Sequence, residues 1–296
     1  MAQRIQVKSV LNKAKQTDSW FLDGYTINPY SGCSFNCLYC YIRGSKYGEH
    51  MEEKVSIKEN TMEILEKQLF NRAKKQEFAF VVIGSATDPY LHFESEEKLT
   101  RGILELILKH RFPAHIVTKS ELITRDFDLL EEINKVAILP MNLAHKMDQK
   151  VVVSFSFSSV DDTVGKIFEP GAPLPSLRLK TLETTVKNGF LAGVSMMPTI
   201  PFVSDTTESL NQMFSAFKQH GAHYAMPSTI TLFGNSRGDS KTMMFRAIEK
   251  YYPHLLEKYK KWFDQSDYMP AYYNNAFNKK MKELSQEFNL PLRIVQ

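Results

Sequence analysis

Three cysteines fall within eight residues of this 296-residue chain, and they are the side chains with the clearest chemistry. Cys33, Cys37 and Cys40 follow a Cys-x3-Cys-x2-Cys spacing, and the sequence contains no other cysteine. An odd number of cysteines at this spacing does not form a disulfide framework. Three neighbouring thiolates are instead typical ligands of a soft metal centre.

An iron–sulfur cluster is one centre that these thiolates would suit. A four-iron cluster normally takes one thiolate for each iron, and this chain supplies only three. One iron would then stay open to a ligand from outside the protein, which favours catalysis over simple electron transfer. Gly32, directly before the first cysteine, suits a loop that wraps closely around such a cofactor.

Three other interpretations of the cysteines stay open from the residues alone. The first is a protein that binds zinc or an iron–sulfur cluster without catalysis. Its zinc site would use the three cysteines with His50, although zinc sites usually pair one Cys-x2-Cys with a second, distant pair. Cys37 and Cys40 would form a redox pair, which leaves Cys33 without a role. The third interpretation is three buried and inert thiols.

The elements that must position these residues alternate between apolar runs and helical patterns. Six runs rich in β-branched residues predict strands, at residues 25–27, 78–83, 115–118, 151–157, 190–197 and 224–232. Helical spacing predicts helices at residues 97–108, 126–133 and 176–188, and one with a buried face of Leu210, Met213, Phe214 and Phe217. Arg125 and Asp126 lie where an N-cap is expected, and Asn188 with Gly189 where a helix ends.

Strands that alternate with helices predict an α/β fold with a parallel sheet, here a partial (β/α)6 TIM-type barrel with a C-terminal helical extension. Active sites of such barrels lie at the C-terminal ends of the strands. Small, polar or charged residues follow four of the predicted strands, at residues 84–88, 119–120, 156–158 and 198–199. They would suit a ligand-binding rim, although polar turn residues at strand ends are also ordinary.

Composition excludes several classes of protein. Apolar residues make up 43% of the chain and charged residues 24%, as in ordinary folded proteins. No run approaches the roughly 18 apolar residues of a membrane span. Residues 1–16 are basic but lack the apolar core of a secretory signal. We therefore expect a cytoplasmic protein without a membrane partner.

The formal net charge of +4 is concentrated at the end of the chain. Residues 241–296 hold ten Lys or Arg, six Asp or Glu and eleven aromatic residues. We expect three parts: a basic N-terminal segment (1–22), the barrel (23–235) and a helical extension (236–296). Aromatic residues interleaved with lysines suit nucleic acid, through stacking and phosphate contacts. An amphipathic helical cap explains the same pattern and is the simpler interpretation.

The cysteine spacing, with Tyr39 directly before the last cysteine, resembles the signature of radical S-adenosylmethionine (SAM) enzymes. Four segments are similar, more narrowly, to the spore photoproduct lyase branch. They are residues 28–43 (NPYSGCSFNCLYCYIR), 85–90 (SATDPY), 117–120 (VTKS) and 168–179 (FEPGAPLPSLRL). The similarity extends over residues 5–260 and is strongest before residue 205.

The resemblance implies that Cys33, Cys37 and Cys40 hold a 4Fe–4S cluster whose open iron binds SAM. Reductive cleavage of SAM would yield a 5′-deoxyadenosyl radical that abstracts a hydrogen atom from a substrate. A nucleic acid is one candidate substrate, as in DNA-repair lyases, and a peptide or small metabolite is the alternative. The electron would come from a flavodoxin- or ferredoxin-type partner. The sequence indicates no oligomeric state.

The resemblance also implies a set of SAM contacts. The segment that begins at Ser85 would meet the amino and ribose end of SAM, and Lys119 would pair with its carboxylate. Ser154 and Ser156 are two apart on one predicted strand, so both could point inward. The expected cofactor-binding residues are Tyr39, Ser85, Thr87, Asp88, Lys119, Ser154, Ser156 and Met197.

The chain departs from the lyase branch at the hydrogen-atom donor. A spore photoproduct lyase carries a further cysteine near the end of the second strand, whereas residues 83–88 contain none. Tyr90 lies nearby and is an alternative donor. Glu169 and Arg178 are expected to pair with each other or to touch substrate, with a structural role favoured.

Overall fold

A computed structural model describes residues 3–18, 20–45 and 55–295 of the chain. The strands of these residues are β1 (Gln3–Ile5), β2 (Asn12–Lys13), β3 (Asp23–Ile27), β4 (Tyr30–Ser31), β5 (Ser56–Lys58), β6 (Phe80–Ile83), β7 (Ala114–Thr118), β8 (Val151–Ser156), β9 (Leu191–Met196) and β10 (Ala225–Pro227).

Helices lie between and after these strands. In the same part of the chain they are α1 (Thr61–Lys74), α2 (Glu94–Glu97), α3 (Leu99–Lys109), α4 (Phe127–Val136), α5 (Asp162–Phe168), α6 (Pro175–Lys187), α7 (Thr207–Gln219), α8 (Ser240–Tyr251), α9 (Leu256–Phe263) and α10 (Ala271–Glu287). Short 3₁₀ turns precede two of them, at Glu121–Asp126 and Pro253–Leu255.

The main sheet has the strand order β10-β9-β8-β7-β6-β3-β2. Its first six strands are all parallel, and only β2 pairs antiparallel, at the edge against β3. A helix separates each parallel strand from the next, as right-handed β/α crossovers require. The predicted α/β fold with a partial barrel of six parallel strands is therefore confirmed.

The barrel strands are buried because both faces of the sheet are covered. All four residues of β6 are buried, as are the first five residues of β8. In β8, Val151 and Val153 pack toward the surrounding helices, whereas Val152 packs inside the barrel against Tyr224. Continuous apolar runs are typical of such doubly covered parallel strands, and this is why the sequence predicted them.

The helix with the predicted apolar face also forms as expected. Leu210, Met213, Phe214 and Phe217 are all buried on α7. Burying a side chain of this size contributes about 1.5–3 kcal/mol, so this face alone is a substantial part of the packing against the sheet.

The structure adds detail to two local expectations and shows one feature that the sequence missed. The helix predicted at 97–108 forms as α3 but begins two residues later, at Leu99, because Lys98 has a φ of +51° and separates α2 from α3. Asp126 stands at the N-cap of α4 but makes no capping hydrogen bond, because its carboxylate instead accepts from Arg101 and Arg125. The sequence also missed a small second sheet, in which β1, β5 and β4 pair in that order.

The C-terminal helices pack on the barrel. Phe277, Met281 and Leu284 of α10 belong to the same hydrophobic core as the strands. Tyr259 and Phe263 of α9 are completely buried in a neighbouring cluster. No described helix combines the length and apolar character needed to cross a membrane.

Candidate active site

A cavity of about 400 Å³ opens at the C-terminal ends of the barrel strands. This volume lies within the range of ligand pockets, about 300–1,000 Å³. Ten of the eleven expected cluster- and SAM-binding residues line it, and they are Cys33, Cys37, Tyr39, Cys40, Ser85, Thr87, Asp88, Lys119, Ser156 and Met197. The strand ends thus meet the cysteine loop at one place.

Ser154 is the residue that the structure does not bring to this wall. Its hydroxyl is fully buried and lies 2.7 Å from Nε2 of His115 and 2.8 Å from the hydroxyl of Tyr224. Ser154 and Ser156 share a face of β8, but two residues of strand span about 6.6 Å. Ser154 is therefore one layer below the cavity, and its position does not support the expected SAM contact.

The cysteine loop is shaped by hydrogen bonds to its own backbone and to the segment after α5. Gly32 has a φ of +80°, which fits the tight turn expected before the first cysteine. The amide of Leu38 donates to the carbonyl of Phe168 at 2.8 Å, and the amide of Gly171 donates to the carbonyl of Phe35 at 3.0 Å. The loop is therefore held against residues 168–171 while its sulfurs face the cavity.

The three thiols are free, and the pKa of each is raised above its usual value. Each residue is half-buried because it faces the cavity, yet the surrounding protein desolvates the sulfur. Burial raises the pKa of the Cys33 thiol to about 11 and also raises the pKa of Cys37 and Cys40. Backbone amides of Phe35 and Asp88 oppose this rise at Cys33. Thiols of this kind bind a metal by releasing their protons.

The placement of the metal-binding side chains distinguishes a site for a single metal ion from a site for a cluster. Among residues 3–18, 20–45 and 55–295, no group of three or more His, Cys, Asp or Glu side chains is placed to hold a metal ion. The zinc alternative also needs His50, which lies outside the described residues. A cluster binds its thiolates at separate irons, so three cysteines that line one cavity without being grouped around a single ion fit a cluster better.

The loop after β6 is fixed to its neighbours. The carboxylate of Asp88 accepts hydrogen bonds from the Thr118 hydroxyl at 2.8 Å, the Lys119 amide at 2.7 Å and the Tyr90 amide at 2.9 Å. Burial raises the pKa of Asp88. Asp88 therefore braces this loop against β7, and its oxygens are largely occupied by the protein itself.

Lys119 is buried at the cavity wall and has two partners. Its Nζ donates to Ser156 Oγ at 2.6 Å and lies 3.6 Å from Glu169 Oε1. Glu169 also forms an ion pair with Arg178, so the expected pairing of these two residues is confirmed. Burial alone would raise the pKa of Glu169, but the charges of Arg178 and Lys119 lower it to about 2. Two cations facing one carboxylate leave positive charge that suits an anionic ligand group.

The position of Tyr90 does not support it as the alternative hydrogen-atom donor. Tyr90 is 1% exposed and does not line the cavity. Tyr41, directly after the last cysteine, does line it, and its hydroxyl donates to the carbonyl of Ser85 at 2.8 Å. The sequence had offered a hint in the YCY segment at residues 39–41, where a tyrosine stands on each side of Cys40.

The family model of the Radical SAM superfamily matches residues 27–213, which is well over half of the chain. The chain belongs to the radical SAM superfamily. Membership implies a 4Fe–4S cluster and SAM as cofactors, and the three cysteines on the cavity wall are the thiols available to hold the cluster.

Solved structures of spore photoproduct lyase share this radical SAM fold. The lyase complexed with dinucleoside spore photoproduct matches with a TM-score of 0.63 and 17% identity, covering 96% of this chain and 79% of the lyase chain. A mutant lyase with bound AdoMet and dinucleoside spore photoproduct gives the same TM-score and identity, over 96% and 78% of the two chains. At this identity the similarity establishes the fold.

Two curated relatives match more than two thirds of this chain. An uncharacterised Mycobacterium tuberculosis protein, Rv2578c, is 27% identical over 290 residues, covering 96% of this chain and 79% of its own. An uncharacterised Methanocaldococcus jannaschii protein, MJ0683, is 29% identical over 68% of this chain and 69% of its own.

Proposed function

We propose that this radical SAM protein is an enzyme that cleaves SAM reductively and abstracts a hydrogen atom from a substrate. One observation carries the proposal: three thiols without a fourth share a cavity wall with residues 85–88 and a buried lysine. An open iron and a pocket beside it are what SAM cleavage requires.

Different residues of the chain would bind the cluster and SAM. Cys33, Cys37 and Cys40 would hold the cluster, and the bound cluster and SAM would supply the electron and the carbon-centred radical. Lys119, steadied by Ser156, would hold the methionyl carboxylate. The other expected contacts would be Tyr39, Ser85, Thr87, Asp88 and Met197.

For the substrate we propose a nucleic acid, with lyase-like chemistry of the DNA-repair type. Support comes from the fold shared with a lyase bound to a dinucleoside. Tyr268 also supports a nucleic-acid substrate. This residue is 61% exposed, and its backbone forms a β-bridge with Thr231 of the cavity wall. An exposed ring at this place can stack on a base. Tyr259 and Phe263 do not contribute, since they are core residues of the helical cap.

The cellular setting follows from the same chemistry. Free thiols fit a reducing compartment, so we propose a cytoplasmic location. Each SAM cleavage would consume one electron, which a flavodoxin- or ferredoxin-type partner would supply.

The decisive experiment is anaerobic reduction with dithionite in the presence of SAM. We expect about four irons and four sulfides per chain, and 5′-deoxyadenosine from the wild type but not from Cys37→Ala. Ser34→Ala is a matched control from the same loop, because the buried Ser34 hydroxyl lacks a hydrogen-bond partner in the described structure. One zinc per chain, or equal product from Cys37→Ala, would contradict the proposal.

The nucleic-acid substrate has its own test. Binding to a single-stranded oligonucleotide should weaken steeply as salt rises, because phosphate contacts release counterions. Tyr268→Ala should weaken it, whereas Tyr272→Ala, an exposed residue of α10 outside the cavity wall, should not. Absent or salt-insensitive binding would rule out this substrate class and leave the radical chemistry standing.

A further inference from the structure

Asn28 ties the cysteine-bearing segment to the loop after β6. It follows β3 directly and stands five residues before Cys33. Its Oδ1 accepts from the backbone amides of Ala86 at 2.8 Å and Thr87 at 3.2 Å, and its Nδ2 donates to Ser85 Oγ at 3.2 Å. One side chain thus contacts three successive residues of the cavity wall.

The backbone around Asn28 reinforces this connection. The carbonyl of Asn28 accepts from Lys58 Nζ at 2.6 Å, and the carbonyl of Ile27 accepts from the Gly84 amide at 3.1 Å. Thr87 Oγ1 donates to the carbonyl of Tyr30 at 3.2 Å. Residues 27–30 and 84–87 therefore hold each other in a fixed relation.

An amide side chain is suited to this place for a chemical reason. It accepts two hydrogen bonds at its oxygen and donates from its nitrogen while carrying no charge. A hydroxyl is too short to reach both amides and the serine, and a carboxylate would add negative charge beside the cavity. Asn28 can therefore hold the loop in one conformation whether or not a ligand is present.

We propose that Asn28 is a positioning residue that holds residues 85–87 in their ligand-binding conformation before SAM arrives. This rests on the proposed function, because it takes this loop as a SAM contact. A loop ordered in advance loses less conformational freedom on binding, so the ligand binds more tightly. Asn28 itself acts through the loop.

The chain contains a matched control. Oδ1 of Asn134 also accepts from two successive backbone amides, those of Lys150 at 2.7 Å and Val151 at 3.1 Å. Its Nδ2 donates to Gln149 Oε1 at 2.8 Å. This second clamp holds the amino end of β8, which is the end of the strand away from the cavity.

The test compares Asn28→Ala with Asn134→Ala in cluster-loaded protein. Both should lower the melting temperature, since each removes three hydrogen bonds. Equilibrium dialysis with labelled SAM should show about tenfold weaker binding for Asn28→Ala, which corresponds to the net contribution of about one of the three hydrogen bonds that order the loop. Asn134→Ala should bind SAM like the wild type, and iron content should be unchanged in both. Equal SAM affinities in the two variants would overturn the proposal.

Hydrogen–deuterium exchange provides a second measurement that needs no SAM. The amides of residues 86 and 87 should exchange slowly in the ligand-free wild type and quickly in Asn28→Ala. Fast exchange in the ligand-free wild type would overturn the proposal. If wild-type protein binds no SAM, the proposed function fails, yet the exchange comparison still decides whether Asn28 orders the loop. If Asn28→Ala does not fold, slow exchange of these amides in the ligand-free wild type would support the proposal, and fast exchange would overturn it.

Discussion

The hydroxyl of Tyr39 donates a hydrogen bond to the carboxylate of Glu169, although the two residues are 130 positions apart in the chain. The same carboxylate pairs with Arg178, accepts from Ser158 Oγ at 2.9 Å and lies 3.6 Å from Lys119 Nζ. The residue before the last cysteine is thus joined to a buried charge network that reaches the cavity wall. Glu169, which belongs to the Glu-Pro segment at residues 168–171 and was expected to pair with Arg178, is the centre of that network.

Glu169→Gln should be strongly destabilising. It removes the only carboxylate of this ion pair and leaves the buried cations of Arg178 and Lys119 without that partner. Breaking a buried pair in this way costs about 3–5 kcal/mol, which urea unfolding would measure. Glu183→Gln is the control, because its pair with Lys187 is exposed and should leave the free energy of unfolding almost unchanged. Similar losses in the two variants would show that the buried pair does not stabilise the fold.

Much of the fold could be predicted because its strands carry a strong pattern. Strands such as β8 are continuous apolar runs, since helices cover the sheet, and α7 has a regular buried face. The second sheet could not be predicted, because strands of two or three residues such as β4 and β1 show no periodicity. The helix boundary at Lys98 also leaves no pattern, because a single left-handed residue separates α2 from α3.

The cavity could be predicted only in outline. The spacing of the cysteines and the shared edge of parallel strands predicted that the cysteine loop and the loops at the strand ends meet at one site. Partnerships between distant residues could not be derived, as Asn28 with Ala86 and Tyr39 with Glu169 show. The sequence also could not show how far along the barrel each side chain lies. The two-residue period places Ser154 on the inward face, but it does not reveal that Ser154 lies below the cavity.

Stability should fall between pH 7 and pH 5 because of His115. Its Nδ1 lies 2.8 Å from the carbonyl of Phe21, which only accepts, so Nδ1 donates and Nε2 of the neutral ring accepts from Ser154. Burial lowers the pKa of His115 from 6.5 to about 4. The unfolded chain therefore binds the extra proton in this window, and stability drops by about 2 kcal/mol from pH 7 to pH 5.

Urea unfolding at the two pH values would measure this drop in the wild type and in His115→Gln. The glutamine variant starts from a lower stability at pH 7, since it loses packing and hydrogen bonds, but this contribution to the pH dependence should disappear. An equally large drop in His115→Gln would assign the effect to other groups.

Lys119→Met should weaken SAM binding while leaving the cluster intact. The methionine keeps most of the buried side-chain volume but removes the cation proposed for the carboxylate. Hydrogen bonds to charged groups contribute about 1.5–3 kcal/mol, so KM for SAM should rise roughly tenfold to a hundredfold, with iron content unchanged. Lys187→Met, at an exposed ion pair, is the control and should leave KM alone. An unchanged KM in Lys119→Met would remove this lysine from the proposed contacts.

Gly171→Ala should disturb the cysteine loop from outside. A Cβ at this position would lie 2.3 Å from the carbonyl oxygen of Ser34 and 3.0 Å from the carbonyl of Phe35, both backbone groups between the first two cysteines. Either the loop or the Glu-Pro segment must move, and overpacking of this kind costs about 1–3 kcal/mol. Iron and sulfide content after anaerobic reconstitution should therefore fall relative to the wild type.

Gly102→Ala is the matched control for that substitution. Its Cβ would meet only the flexible end of Met62, at 3.0 Å, and alanine is favoured over glycine inside a helix such as α3 by about 1 kcal/mol. This variant should fold and load iron like the wild type. If Gly171→Ala loaded as much iron as Gly102→Ala, the loop would have to yield without losing its ligands, and the close packing of residue 171 would not be what places the cysteines.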